Sequence, residues 1–271
     1  MNYVWVDKNS IDNFLGVLPE DFIENPGNIC ICACGDNGDA WGAICYSLVD
    51  NQIDILWLYT TREMRRQGVA TALLDKLFEV ISLSGEIYPV SARFEPYSDE
   101  GVYGFYLSYD RMDTVFSHER FYVSPKEVRG AKLPPAGDKD EFEKTEFFSL
   151  PEAALRSILR KLQKEQGFII SDLRDFTRDA VPGLCRCIMR GNELLDLILI
   201  RKRPDGNLEL SFLYSENTKG LMELLTATAF DIEEMFPDAK LVFDAVTEES
   251  ASMAKRLFPW TVPVPVYEAQ F

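Results

Sequence analysis

The chain has 271 residues, 46% hydrophobic and 12% aromatic, which is enough for one large domain or two small ones. Its 28 Lys and Arg stand against 44 Asp and Glu, a net charge of -16. That field argues against nucleic acid and anionic membranes as partners and tolerates neutral or cationic ones. No apolar run has the flanks of a signal peptide or the length of a membrane span, so a cytoplasmic location is expected.

Strand signals dominate the first half. After SIDNFLGVL (10–18), expected to be a helix capped by Ser10, NICICACG (28–35) and DAWGAICYSLVD (39–50) flank GDNGD, whose Asn-Gly marks a hairpin. NQIDILWLYT (51–60) is a third strand of this meander. Cys30, Cys32 and Cys34 alternate, so a strand places them on one face. With no CxxC pair and no nearby histidine, they read as small apolar core side chains rather than a metal or redox cluster. In a reducing compartment the six cysteines are expected to be unpaired. GVATALLDKLFEVISLSG (68–85) spaces Val69, Leu73, Leu74, Leu77, Phe78, Val80 and Ile81 as an amphipathic helix, stopped by Gly85. IYPVSARFE (87–95) is a strand, DEGVYGFYLSYDRM (99–112) a short helix weakened by Gly104, and TVFSHERFYVS (114–124) a strand. The single histidine, His118, lies in that strand, so a metal site built on histidine is excluded and no metal is expected.

Residues 129–143, RGAKLPPAGDKDEFE, carry two prolines, two glycines and a charge run and read as a linker between domains 1–128 and 144–271. The order of elements then begins again. TEFFSL is a strand and PEAALRSILRKLQKEQG (151–167) a helix with Pro151 in its first turn. Three strands follow between Gly183 and Ser215, then a helix in KGLMELLTATAFDIEEMF, a strand in AKLVFDAVT, a helix in EESASMAKRLF and an extended tail. The two halves share a spacing: 27 residues separate Cys32 from Tyr59 and Cys187 from Tyr214 (59 − 32; 214 − 187). An internal repeat is the expectation.

The informative stretch is REMRRQGVATALL (62–74), where Arg62, Arg65 and Arg66 crowd before a helix in an acidic chain. The first amides of a helix lack internal partners, and its dipole favours negative charge there. Gly68 leaves room for an anion to approach the backbone, and Val69 and Ala70 keep the next turn low. Neither Walker nor dinucleotide glycine patterns are present.

Arg65-Arg66-Gln67-Gly68-Val69-Ala70 resembles motif A of the GNAT superfamily, the GCN5-related N-acetyltransferases, which is Arg/Gln-x-x-Gly-x-Gly/Ala after a fourth strand. The meander before it, and the helix, strand and FYLSYDRM segment after it, extend the resemblance over roughly residues 1–125. It implies an α/β (α+β) fold of two GNAT-like domains, each a mixed, largely antiparallel sheet flanked by helices, the second degenerate because SENTKGLM lacks the motif. It further implies acetyl-CoA (CoA) as donor, held by Leu58, Tyr59 and Thr60 at the end of the fourth strand and by Arg65, Arg66, Gln67, Gly68, Val69, Ala70 and Thr71. Tyr106 matches the position of a tyrosine that protonates the leaving thiolate, with Tyr103 and Tyr109 close enough to be confused with it. Gln52 stands where some members carry a catalytic glutamate, and Asp54, two residues on, is the alternative base. The acceptor implied is an amine of a small molecule or peptide. A non-catalytic CoA sensor or interaction module, and transfer of an acyl group other than acetyl, are the competing readings. The second half is expected to shape the substrate cleft or stabilise the first. Neither the acceptor nor the oligomeric state is legible.

Overall fold

The computed structural model describes residues 1–7, 9–19, 22, 28–49, 51–96, 101–131, 143–166, 179–191, 193–203, 205–216 and 218–271. The chain divides into two compact units. Unit 1 combines Met1–Ser117 with Pro265–Phe271, and unit 2 is His118–Val264.

Unit 1 is built on β1 (Asn2–Trp5), β2 (Asn28–Cys34), β3 (Ala40–Val49) and β4 (Gln52–Thr60), each antiparallel to its predecessor. A crossover through helix α1 (Val69–Ser84) sets β5 (Val90–Phe94) parallel to β4, as parallel neighbours require. The apolar stripe of α1 buries Leu73, Leu74 and Leu77 completely against Ile31, Ile44, Ile53 and Ile55. Truncating any one of these leucines to alanine costs roughly 2–5 kcal/mol. On the other sheet face, Cys30, Cys32, Cys34 and Cys45 pack with Ile11, Phe14 and Val17. All six cysteines are free and buried.

The segment expected to be a helix at 10–18 is instead a short 3-10 turn, Ile11–Asn13. Ser10 makes no cap to that turn. Its hydroxyl donates to Asp7 Oδ1 at 2.8 Å and accepts from the Asp7 amide at 2.9 Å, a local bonding pattern that competes with helix. β1 was not anticipated, because four residues of NYVW are too few to show alternation.

Unit 2 repeats the order. β7 (Glu143–Glu146), β8 (Arg186–Arg190), β9 (Glu193–Lys202) and β10 (Leu208–Ser215) form an antiparallel run. Helix α5 (Thr218–Met235) then crosses to β11 (Leu241–Ala245), parallel to β10. Helices α4 (Glu152–Gln166) and α6 (Glu248–Leu257) complete the repeat.

Strand pairing rather than composition sets the division of the chain. It falls inside β6 (Asp113–Val123), whose residues 119–123 pair with β11 in unit 2. Ser124 and Glu127 form a reciprocal capping box that opens helix α3 (Pro125–Arg129) directly behind β6. The expected linker 129–143 therefore begins at the end of a helix, and its residues 132–142 lie outside the described residues. The expected extended tail is strand β12 (Val264–Gln270), which pairs antiparallel with β5, Tyr267 opposite Phe94 and Gln270 opposite Ser91, and from Pro265 on belongs to unit 1. No described helix is long and apolar enough to cross a membrane.

Candidate active site

β4 and β5 pair only at Ile53–Val90, Asp54–Ser91 and Ile55–Ala92, whereas β4 continues along β3 as far as Thr60. The two parallel strands therefore part company after Ile55. A bulge marks the same place: Tyr46 faces Ile55 and Cys45 faces Trp57, leaving Leu56 as the extra residue. The bulge reverses the alternation of the strand. Ile53, Ile55 and then Leu58 face the α1 core, while Trp57 and Tyr59 turn to the opposite core. A cleft of about 620 Å³ opens between the separated strands.

The start of α1 closes one end of that cleft. Arg66 and Gly68 both have left-handed backbones, with φ of 62° and 80°. A positive φ is ordinary for glycine and strained for arginine. The pair turns the chain so that the helix begins abruptly at Val69, with the Ala72 amide donating to the Gly68 carbonyl at 2.9 Å. The amides of Val69, Ala70 and Thr71 then have no acceptor within the helix. Space beside the Gly68 Cα is open, with nothing within 4 Å of where a Cβ would sit. Arg65 lies alongside, its Nε donating to the Thr60 carbonyl at 3.4 Å. The result is a hollow with outward amides, the positive end of a helix dipole and two arginine side chains, fit for an anion such as a pyrophosphate. Leu58, Tyr59, Thr60, Arg65, Arg66, Gly68, Val69, Ala70 and Thr71 all line the cleft. Gln67 does not; its side chain donates to the Glu63 carbonyl at 2.7 Å.

The model of the acetyltransferase (GNAT) family matches residues 3–110. This segment is a GNAT domain. No curated protein sequence matches the chain. A GCN5-related N-acetyltransferase from Sphaerobacter thermophilus superposes with a TM-score of 0.61 at 12% identity, covering 89% of this chain and 80% of that one. A tandem GNAT protein from the clavulanic acid biosynthesis pathway gives 0.61 at 15% identity, covering 96% and 87%. A glucosamine N-acetyltransferase region of a fungal multi-domain GH3 beta-N-acetylglucosaminidase gives 0.68 at 14%, covering all of this chain and 38% of that one. At such identities the likeness concerns the fold.

Within the GNAT domain the three tyrosines of the 103–109 segment part ways. Helix α2 (Val102–Leu107) buries Tyr106 and lays its ring on Phe94, 4.8 Å between centroids, at the cleft wall. Burial pushes this phenol well above its ordinary range. Tyr109 donates to Asp75 Oδ1 at 2.8 Å, and Tyr103 packs on Tyr267 at 4.8 Å; neither lines the cleft. Asp54 is not on the cleft wall either. It faces away from Ile53 and Ile55, and its Oδ1 accepts from Ser91 Oγ at 2.7 Å and Gln52 Nε2 at 2.8 Å. The structure thus joins Gln52 and Asp54 in one small network and separates that network from Tyr106.

Two site residues were missed from the sequence. Arg93, on β5, lines the cleft and pairs with Glu268 of β12 through Nε and Oε1 at 3.3 Å. Gly42, on β3 opposite Thr60, lets the strand lie against the end of β4. A Cβ there would overlap the Tyr59 carbonyl oxygen and come within 3.2 Å of Val69 Cγ1. Only a glycine inside an otherwise apolar strand hints at such a close approach.

Proposed function

We propose that the GNAT domain transfers an acyl group, acetyl above all, from acyl-CoA to an amine of a small molecule or peptide. The single observation that carries this reading is the meeting, in one cleft, of the β4–β5 separation with the unsatisfied helix start behind Arg65 and Arg66. Bound acyl-CoA would supply the thioester, whose cleavage to free CoA makes acyl transfer favourable. The amides from Arg66 to Ala70 would hold its pyrophosphate, as the open space beside Gly68 allows. The backbone of Leu58 through Thr60, freed from β5, would orient the pantetheine arm and acyl carbonyl. Tyr106, at the cleft wall, would give its proton to the developing thiolate. Asp54, bound to Ser91 and Gln52 off the cleft wall, is left out of the direct step, and an amine that arrives neutral needs no strong base.

The decisive measurement is calorimetry of CoA binding to the native chain and to Gly68→Glu, which sets a carboxylate where phosphate should lie. Affinity should fall more than tenfold, about 1.4 kcal/mol. A folded variant with undiminished affinity refutes the placement. A panel of amines and polyamines with acetyl-CoA then separates a transferase from a CoA-binding sensor.

A further inference from the structure

β4 and β5 stop pairing after Ile55 and Ala92, so the next residue of β5, Arg93, stands beside the gap. Val90 and Ala92 belong to the α1 core, which turns Ser91 and Arg93 to the other face of the sheet. Register puts Asp54 and Gln270 in one row with Ser91, and Glu268 opposite Arg93. On this face a depression of about 730 Å³ is lined by Gln52, Ser91, Arg93, Glu268 and Gln270. Among the described residues only Arg93 lines both this depression and the cleft. All of these residues belong to unit 1.

Arg93 has a donor edge to spare. Glu268, with a side chain only 13% exposed, accepts from Nε at 3.3 Å. No hydrogen bond to the described residues engages the two terminal nitrogens, and the side chain is 61% exposed. Glu268 thus holds the inner side of the guanidinium and leaves its outer edge, a pair of parallel N–H donors that matches a carboxylate. An anion there would not be the cofactor pyrophosphate. Five residues of β4, roughly 16 Å at about 3.3 Å each, separate Ile55 from Thr60, where Arg65 and the helix start lie. The rest of the depression, with Gln52, Arg111, Asp113 and Gln270, offers hydrogen bonds and charges of both signs.

We propose that Arg93 grips a carboxylate on the acceptor, and that the acceptor is a free α-amino acid with a polar side chain. The carboxylate lies on the outer edge of Arg93, the α-amine one carbon away reaches into the cleft, and the side chain lies in the depression. The neutral α-nitrogen bonds to the acyl carbon as the carbon–sulfur bond breaks. That nitrogen loses a proton to water, and Tyr106 gives one to the sulfur and regains it from solvent. This rests on the reading of unit 1 as an acyltransferase and names its acceptor class. The test measures acetyl-CoA turnover by the full chain with each of the twenty amino acids. Each is set beside the amine left when its carboxylate is removed, such as tyramine for tyrosine, agmatine for arginine and cadaverine for lysine. Phosphoethanolamine is added as an amine bearing phosphate instead. A polar amino acid should be acetylated on its α-nitrogen, at least tenfold better in kcat/KM than its decarboxylated counterpart. Arg93→Gln should raise KM for that amino acid at least tenfold, with a smaller change in kcat and undiminished CoA affinity by calorimetry. Arg93→Lys, which keeps the charge and loses the fork, should recover only part of the loss. Equal or better turnover of the amines without carboxylate, a preference for phosphoethanolamine, or an unchanged KM in Arg93→Gln overturns the proposal. So does a chain that binds CoA and acylates no amino acid. A chain that binds no CoA sinks the reading of unit 1 and this proposal with it.

Discussion

Gly42→Ala tests how closely the site depends on the packing of three backbones. The added methyl would overlap the Tyr59 carbonyl oxygen and sit 3.2 Å from Val69 Cγ1 and 3.3 Å from Thr60 Cα. A carbon rests about 3.3–3.6 Å from a carbonyl oxygen. Two of the three obstacles are backbone, which cannot rotate away, so relief requires β3 and β4 to separate by about 1 Å. Overpacking of this kind costs roughly 1–3 kcal/mol of stability. The displaced atoms are Tyr59, Thr60 and the first turn of α1, all on the cleft wall, and a misplacement of about 1 Å can cost about 100-fold in rate. Expected, therefore, are a lower melting temperature, CoA affinity reduced more than tenfold, and turnover reduced further. Gly16→Ala, with nothing near its Cβ position and no positive φ, is the control. A Gly42→Ala protein with native melting and native CoA affinity would show that β3 does not support the site.

Tyr106→Phe should keep CoA affinity and lower turnover about 100-fold or more where chemistry limits the rate, whereas Tyr109→Phe, which loses only the bond to Asp75, should leave turnover within a few-fold; steady-state kinetics with a working acceptor separates the two. Acid should weaken unit 2 through Asp244. Burial alone would raise this carboxyl, but Arg120, donating at 2.5 and 2.8 Å, and His118, 3.2 Å away, outweigh it and hold the group well below the usual carboxylate range. Its contribution is complete above the ordinary carboxylate pKa of about 4 and fades as pH falls toward the lowered value. Denaturant midpoints between about pH 5 and pH 2 should fall less steeply for Asp244→Asn than for the native chain, and parallel slopes would rule the pair out as an acid-sensitive contact.

The sequence yielded most where chemistry depends on local backbone. Gly68 and the helix behind it were legible because a left-handed residue and an apolar period leave marks in the residues themselves. The bulge at Leu56 was not, since ILWLY is apolar at every position and carries no alternation to break. Tyr106 was named with Tyr103 and Tyr109 close enough to be confused with it, because which phenol reaches the cleft depends on tertiary partners, Phe94 for one and Asp75 for another. The division between units escaped notice for a similar reason. Pro-rich 129–143 looked like a boundary, but the partner of β6 lies more than a hundred residues along the chain, in β11, and no local signal reports it. VPVPVYEAQF read only as an extended tail; its prolines, Pro263 and Pro265, precede the residues Tyr267–Gln270 that pair with β5.

The pairing of β12 with β5 also imposes an order on synthesis. Residues 1–117 leave the ribosome first, yet their sheet stays one strand short until 265–271 follow, after the whole of unit 2 has been made. Arg93 and Phe94, both on the cleft wall, wait that long for Glu268 and Tyr267. The usual sequence, in which the N-terminal domain is finished while the rest is being translated, is inverted. A chain released early would carry every residue of motif A and an open edge on β5, so a partly translated product would be prone to pair with foreign strands before it could be of any use.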